Sequence, residues 1–239
     1  MADSLTEVSG SAARTQQFKH FDLLLAATCV IVVCSNIIGA GKVAQIGDFA
    51  FGAGVLFFPL SYVLGDVLTE VYGYRKARRA ITAATTAAIF AALMAAFITA
   101  MPPATEWNSD LGGVSRQDTF AINFGQAPRI VAASVIALFA GEIANARVMS
   151  IMKVKSGASK LWQRTIGSTA VGQGVDSLLF YPLAFYGVWS NDLIITVLIT
   201  NYALKVVWEA LLTPVTYKVV GALKRAEGVE VFDAPGTNI

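Results

Sequence analysis

Several ionisable side chains stand inside long apolar stretches of this 239-residue chain: Asp66, Glu70, Glu142, Asp176, Lys205 and Glu209. Asp66 and Glu70 are four residues apart, as are Lys205 and Glu209, so on a helix each pair lies about 40° apart on one face. Glu142 and Asn145, three apart, also share a face, with Arg147 further along. Asp176 has Gln173 and Ser177 close by and glycines at 172 and 174, with no neutralising neighbour on its own helix. Asn36 and Asn201 add amides, and Phe57, Phe58, Tyr62, Phe180, Tyr181 and Trp208 add flat aromatic surface. Carboxylates, amides and a lysine can between them accept from and donate to a polar solute, while aromatic planes can stack on its ring.

Other chemistries lack their residues. One histidine (His20) and two cysteines (Cys29 and Cys34) cannot assemble a His- or Cys-based metal site. The cysteines are five apart in a helical run, about 140° from each other, and read as buried reduced thiols. An intramembrane enzyme would have to use Ser168 or Ser177 with Lys205, a pairing that rests on distance alone. No GxxxxGK[ST] motif is present, so ATP could act only through another subunit. A net charge of +2 with scattered Lys and Arg argues against a nucleic-acid surface. Neither cofactor nor metal is expected.

The elements that must position these groups follow from composition. The chain is 55% hydrophobic and 14% charged, against about 25% charged in an ordinary soluble domain. A membrane-crossing helix uses about 20 apolar residues, and six such stretches are visible: 21–40, 50–72, 80–101, 128–152, 165–189 and 193–223. The expected fold is an all-α integral membrane protein, a six-transmembrane-helix bundle in one domain. Residues 1–20 form an N-terminal tail, disordered and cytoplasmic, and 224–239 a cytoplasmic C-terminal tail. The outer loop, 102–127, is long enough for a short interfacial helix.

Lys and Arg concentrate on alternate connections: Arg75, Lys76, Arg78 and Arg79, then Lys153, Lys155, Lys160 and Arg164, then Lys218, Lys224 and Arg225. Cytoplasmic loops carry that excess, which puts both termini in the cytoplasm and makes the protein multi-pass. At about 1.5 Å per residue, Asp66 and Glu142 lie roughly 10–15 Å above the cytoplasmic helix ends, with Asp176 and Lys205 near the midplane. Groups from four helices at similar depth predict one central polar pocket. Pro59, Pro182 and Pro214 would free backbone carbonyls to line it. The third span has no such groups and is expected to face lipid.

Plainer readings compete. Asp66 and Glu70 could pair with the basic cluster at 75–79, Lys205 and Glu209 could be an ion pair within one helix, and Arg147 could snorkel to the interface. A charge inside the bilayer nevertheless costs about 2.5–3.5 kcal/mol on insertion scales, and a purely structural bundle does not need this many. A binding protein for transport fits best. A proton or cation channel would string its carboxylates along a path rather than gather them at one level.

The runs FFPLSYVLGDVLTEVYGYRKARR (57–79), GEIANARVMSIMKVK (141–155), RTIGSTAVGQGVDSLLF (164–180) and NYALKVVWEALLTPVTY (201–217) resemble the queuosine precursor transporter family, also called the vitamin uptake transporter family. The resemblance covers about 21–223, and GDVLTEVYGY followed by basic residues is its most specific signal. It implies an inner-membrane importer of 7-cyano-7-deazaguanine, 7-aminomethyl-7-deazaguanine or queuine, similar in span count to energy-coupling-factor substrate-binding components but working without their ATPase. Another vitamin-like or nucleobase solute is the alternative. The partners would be the deazaguanine and membrane lipid, with a homodimer left open because no GxxxG stripe offers a face. On a guanine-like edge, Glu142 or Asp176 would accept N1–H and the 2-amino group. Asp66 or Glu70 would receive a cationic tail or a coupling proton. Asn145, Gln173 and Lys205 would meet the carbonyl and ring nitrogens, and Phe57, Phe58 or Phe180 would stack. Asn36 and Glu209 complete the expected lining.

Overall fold

The computed structural model describes residues 18–110, 112–156 and 161–228. Of the tails expected at 1–20 and 224–239, residues 1–17 and 229–239 lie outside the described residues, as do the side chains of Lys153, Lys155, Lys160 and Arg164. Phe18 packs edge-on against Tyr72, so residues 18–20 belong to the fold and not to a disordered tail. Helix α1 (Phe21–Cys34) continues into a π turn (Ser35–Gly39). Strands β1 (Val43–Ile46) and β2 (Phe49–Gly52) form an antiparallel hairpin, and a 3-10 turn (Ala53–Phe57) leads into α2 (Phe58–Tyr72). Then come α3 (Tyr74–Ala100), α4 (Arg116–Phe124), α5 (Ala127–Ser156), α6 (Leu161–Phe185) and α7 (Asn191–Glu227).

Among the described residues, five helical segments are long and apolar enough to cross a membrane: Phe21–Gly39, Ala53–Tyr72, Tyr74–Ala100, Arg116–Asn145 and Asn191–Glu227. With 25 residues, or about 37 Å at 1.5 Å each, α6 is equally long. Its apolar character is diluted by Gln173, Asp176, Ser177 and the glycines around them. An even number of passes agrees with the contacts at the chain ends. The backbone N–H groups of Lys19 and His20 donate to the Glu227 carboxylate at 2.8 and 2.9 Å, and the Tyr72 hydroxyl donates to it at 2.8 Å. The start of α1, the end of α2 and the end of α7 therefore meet at one end of the bundle.

The second span departs from expectation. Residues 50–57 are apolar but not α-helical: 50–52 are strand and 53–57 a 3-10 turn, so α2 proper starts at Phe58. Glycines at 52 and 54 disfavour a helix here, and Gly47 at φ +58° makes the two-residue hairpin turn. Pro59 therefore frees no carbonyl inside a helix. It sits in the first turn of α2, where its missing N–H would have had no partner anyway. Pro182 and Pro214 do lie within α6 and α7.

At Gly73 (φ +77°) the chain turns from α2 directly into α3, which starts six residues before the expected Ala80. Arg75, Lys76, Arg78 and Arg79 thus lie in the first turns of α3, with the Lys76 ammonium 4.6 Å from the Phe21 ring centroid. One face of α3 is not available to lipid. Ala77, Ala80, Ala84, Ala88 and Ala92 are buried in a stripe where α3 contacts α1 and α5, while Phe90, Leu93 and Phe97 are exposed opposite. The outer loop does contain a short helix, α4, whose N-cap Ser115 accepts from Asp118 N–H. At the other extreme α7 runs on through residues 224–227, which were expected to belong to the tail. Cys29 and Cys34 are free thiols, half-buried rather than buried.

Candidate functional site

Helices α6 and α7 each bring one charge to a shared cavity. The Lys205 Nζ donates to Asp176 Oδ2 at 2.7 Å, with the side chains 14% and 22% exposed respectively. Lys205 also lies 5.4 Å from the Phe58 ring centroid, a cation–π contact. Around the pair is a cavity of about 130 Å³ that gathers Ser35 and Asn36 from the π turn, Phe58 and Ser61 from α2, and Ser134 from α5. Phe180, Tyr181 and Asn201 complete its polar and aromatic wall. Asn36 directs its Nδ2 back to the Val32 carbonyl at 2.9 Å. The cavity thus combines one ion pair, two amides, several hydroxyls and two phenyl rings.

The wall away from the chain termini is not helical. Ala40, Gly52, Gly54 and Val55 close it. The π turn and the 3-10 turn cross tightly, because a Cβ on Gly39 would come within 2.8 Å of Gly54 Cα and 3.2 Å of the Phe57 ring. Asn201, 2% exposed, accepts from Gly52 N–H at 3.0 Å, donates to the Gly52 carbonyl at 3.3 Å, and donates to the Tyr181 hydroxyl oxygen. Irregular backbone at membrane depth survives where it is buried in protein or lines a cavity, and here it does both.

Two further polar groups lie outside this lining. One, between α2 and α7, contains Tyr62, Asp66 and Glu209: Tyr62 and Thr169 hydrogen-bond Glu209, which is 5% exposed, and Asp66 lies close enough to Glu209 and Glu70 for the carboxylates to repel. The second is the α5–α6 crossing. A Cβ on Gly141 would be 2.9 Å from the Gly172 carbonyl, and one on Gly172 would be 2.8 Å from Asn145 Cβ. Asn145 Oδ1 is buried there without a hydrogen-bond partner.

Of the residues singled out in the sequence, the cavity brings together Asn36, Phe58, Asp176, Phe180, Tyr181, Asn201 and Lys205. It does not include Phe57, which packs beneath Gly39, nor Asn145, which is used in helix packing. Asp66 and Glu209 form the separate α2–α7 group, Glu70 and Glu142 are exposed, and Gln173 is half-buried on α6 away from the cavity lining. The single pocket expected from depth is therefore divided. The alternative of a Lys205–Glu209 pair within one helix also gives way, because Lys205 crosses to Asp176 on α6. Ser35, Ser61 and Ser134 carried no signal, since a lone serine in an apolar run looks the same whether it caps, packs or lines a cavity. Gly52 and Gly54 were hidden by the reading of 50–72 as a helix.

The family model described as "Putative vitamin uptake transporter" matches residues 52–219, which include α2 through most of α7. A curated relative from Bacillus subtilis (strain 168), "Probable queuosine precursor transporter", is 27% identical over 186 residues, covering 77% of this chain and 78% of that protein. No solved structure is significantly similar. With its apolar helices and a family match over most of its length, the chain is a multi-pass membrane protein that belongs to the vitamin uptake transporter family.

Proposed function

We propose that this chain imports a queuosine precursor, a 7-deazaguanine base, through the cavity at Asp176 and Lys205. The observation that carries this reading is the ion pair on the cavity wall with Phe58 and Phe180 beside it. A guanine-like edge presents N1–H and a 2-amino group next to a carbonyl. Asp176 accepts the two donors, Lys205 turns to the carbonyl, and the rings of Phe58 and Phe180 stack on the heterocycle. The ligand thus replaces one ion-pair contact with charge-assisted bonds to both partners. The name of the Bacillus relative supports the same solute class.

In this reading Asp66, with Glu209 and Tyr62, takes a coupling proton or the cationic tail of an aminomethyl substrate, Glu209 being one turn of α7 beyond Lys205. The reading puts the protein in the inner membrane with both termini cytoplasmic, and needs no ATPase subunit. The test uses a strain that can neither make nor import the precursors, expressing this chain and supplied with each base in turn, with queuosine in tRNA as readout. Rescue by at least one base is expected. No rescue with any of the three, from a correctly inserted protein, would send the reading back to another nucleobase or vitamin-like solute.

A further inference from the structure

The hairpin at Val43–Gly52 is held in an unusual way. Asn201 lies ten residues into α7, about 15 Å from its start, and at that depth an unpaired backbone amide would be costly. The Asn201 carboxamide imitates a strand residue, accepting Gly52 N–H and donating to the Gly52 carbonyl. One residue earlier, the Thr200 hydroxyl donates to the Ala50 carbonyl at 2.8 Å. Gly52 is required by this fit, since a Cβ there would stand 2.8 Å from Asn201 Nδ2.

Both side chains on α7 also have partners that do not belong to the hairpin. Thr200 has the Thr196 carbonyl in its own helix at 2.9 Å, and Asn201 has the Tyr181 hydroxyl on α6. If the hairpin moved away, the Thr200 hydroxyl and the Asn201 amide N–H would keep an acceptor each. Water entering the cavity would meet Gly52. The hairpin can therefore leave without stranding either donor, which is the condition a releasable clamp must meet. Asn201 is also one helical turn from Lys205, so a solute at the ion pair lies against the same face of α7 that holds the hairpin.

We propose that the Val43–Gly52 hairpin is the gate of the cavity on the side away from the chain termini, with Asn201–Gly52 and Thr200–Ala50 as its latch. The inference rests on the reading of the cavity as a transported solute's site, and it adds the element that opens. The full chain, with Cys29→Ser and Cys34→Ser and a Ser134→Cys reporter in the cavity, is placed in sealed vesicles. A membrane-impermeant thiol reagent is then applied from each face in turn.

Asn201→Ala and Gly52→Ala are each expected to raise labelling from the hairpin face roughly tenfold, as for the loss of one or two buried hydrogen bonds. Thr200→Val, which keeps the shape and removes only the Ala50 bond from the latch, should raise it less. Unchanged labelling in Asn201→Ala and Gly52→Ala overturns the gate, as does a rise from the opposite face. If those two variants insert poorly, Thr200→Val decides alone: a rise supports the latch and no rise overturns it. Labelling needs no knowledge of the solute. Failed queuosine rescue beside a positive labelling result would therefore defeat the substrate reading and leave the gate standing.

Discussion

The two ends of the bundle differ in how α1 and α2 are held. At the end that holds the chain termini, Phe21, Val67, Leu68, Val71, Tyr72 and Ala77 pack into one core joining α1, α2, α3 and α7, and Glu227 ties the start of α1 to the end of α2. At the other end the same α1 and α2 are replaced by a π turn, a hairpin and a 3-10 turn, and their inner faces turn to Asn36, Asn201 and the Asp176–Lys205 pair. The hairpin end keeps an apolar core of its own, in which Ile130, Tyr181, Phe185, Ile194 and Val197 fix α5, α6 and α7 and Val43 is partly buried at its margin. What differs is that α1 and α2 give way there to irregular backbone held by side-chain hydrogen bonds, which opens at lower cost than continuous helix. On the proposed reading, the termini end holds the helices together and the hairpin end admits the solute.

The sharpest way to break that comparison is at the ion pair. Asp176→Asn leaves Lys205 facing a neutral amide, and removing one partner of a largely buried pair is worth about 3–5 kcal/mol. Uptake of labelled deazaguanine should fall about a hundredfold or more. Misfolding could produce the same loss, so the companion variant is Asp176→Asn with Lys205→Met, which removes both charges. Insertion and thermal stability should recover in it while uptake stays lost. Recovered uptake in the double variant would make the pair a structural brace and would move the binding site elsewhere.

The termini end should respond in the opposite currency, stability without transport. Glu227 accepts from two backbone N–H groups and the Tyr72 hydroxyl. Glu227→Gln keeps one acceptor oxygen and loses the charge. A destabilisation of about 1 kcal/mol is expected, read as a small drop in melting temperature of the detergent-solubilised protein, with uptake within about twofold of the parent. An uptake loss approaching that of Asp176→Asn would show that the two ends are coupled and that the closed end is not merely a fastening.

The contrast between the ends also explains what could be read in advance. Long helices were legible because hydrocarbon demands about 20 apolar residues per crossing whatever the sequence otherwise says. Asp176 and Lys205 were legible because a charge in such a stretch needs a reason. The hairpin was not. Residues 50–57 are as apolar as a helix, and composition cannot distinguish apolar groups packed around a strand from those packed around a helix. What marks the segment is Gly52, whose role depends on Asn201 about 150 residues later, and Gly54, whose role is the close crossing with Gly39. Partner choice was equally hidden: Glu209 is one turn from Lys205, yet it bonds Tyr62 and Thr169 while Lys205 reaches another helix.

The smallest expected effect separates two carboxylates that sequence alone left as equals. Glu142 and Asp176 are both acidic, both deep by residue count, and both next to the α5–α6 crossing at Gly141 and Gly172. Gly141 is buried in that crossing, as Asp176 packs against it, but Glu142 is exposed and outside the cavity lining. If binding belongs to the cavity behind the hairpin, Glu142→Gln removes a charge that no ring contacts, and uptake should change by about twofold at most. A loss as deep as that of Asp176→Asn would put a second binding position on the α5–α6 surface. The hairpin end would then be one of two stations rather than the place where the solute is held. Measured side by side with insertion controlled, the two single substitutions decide between these arrangements.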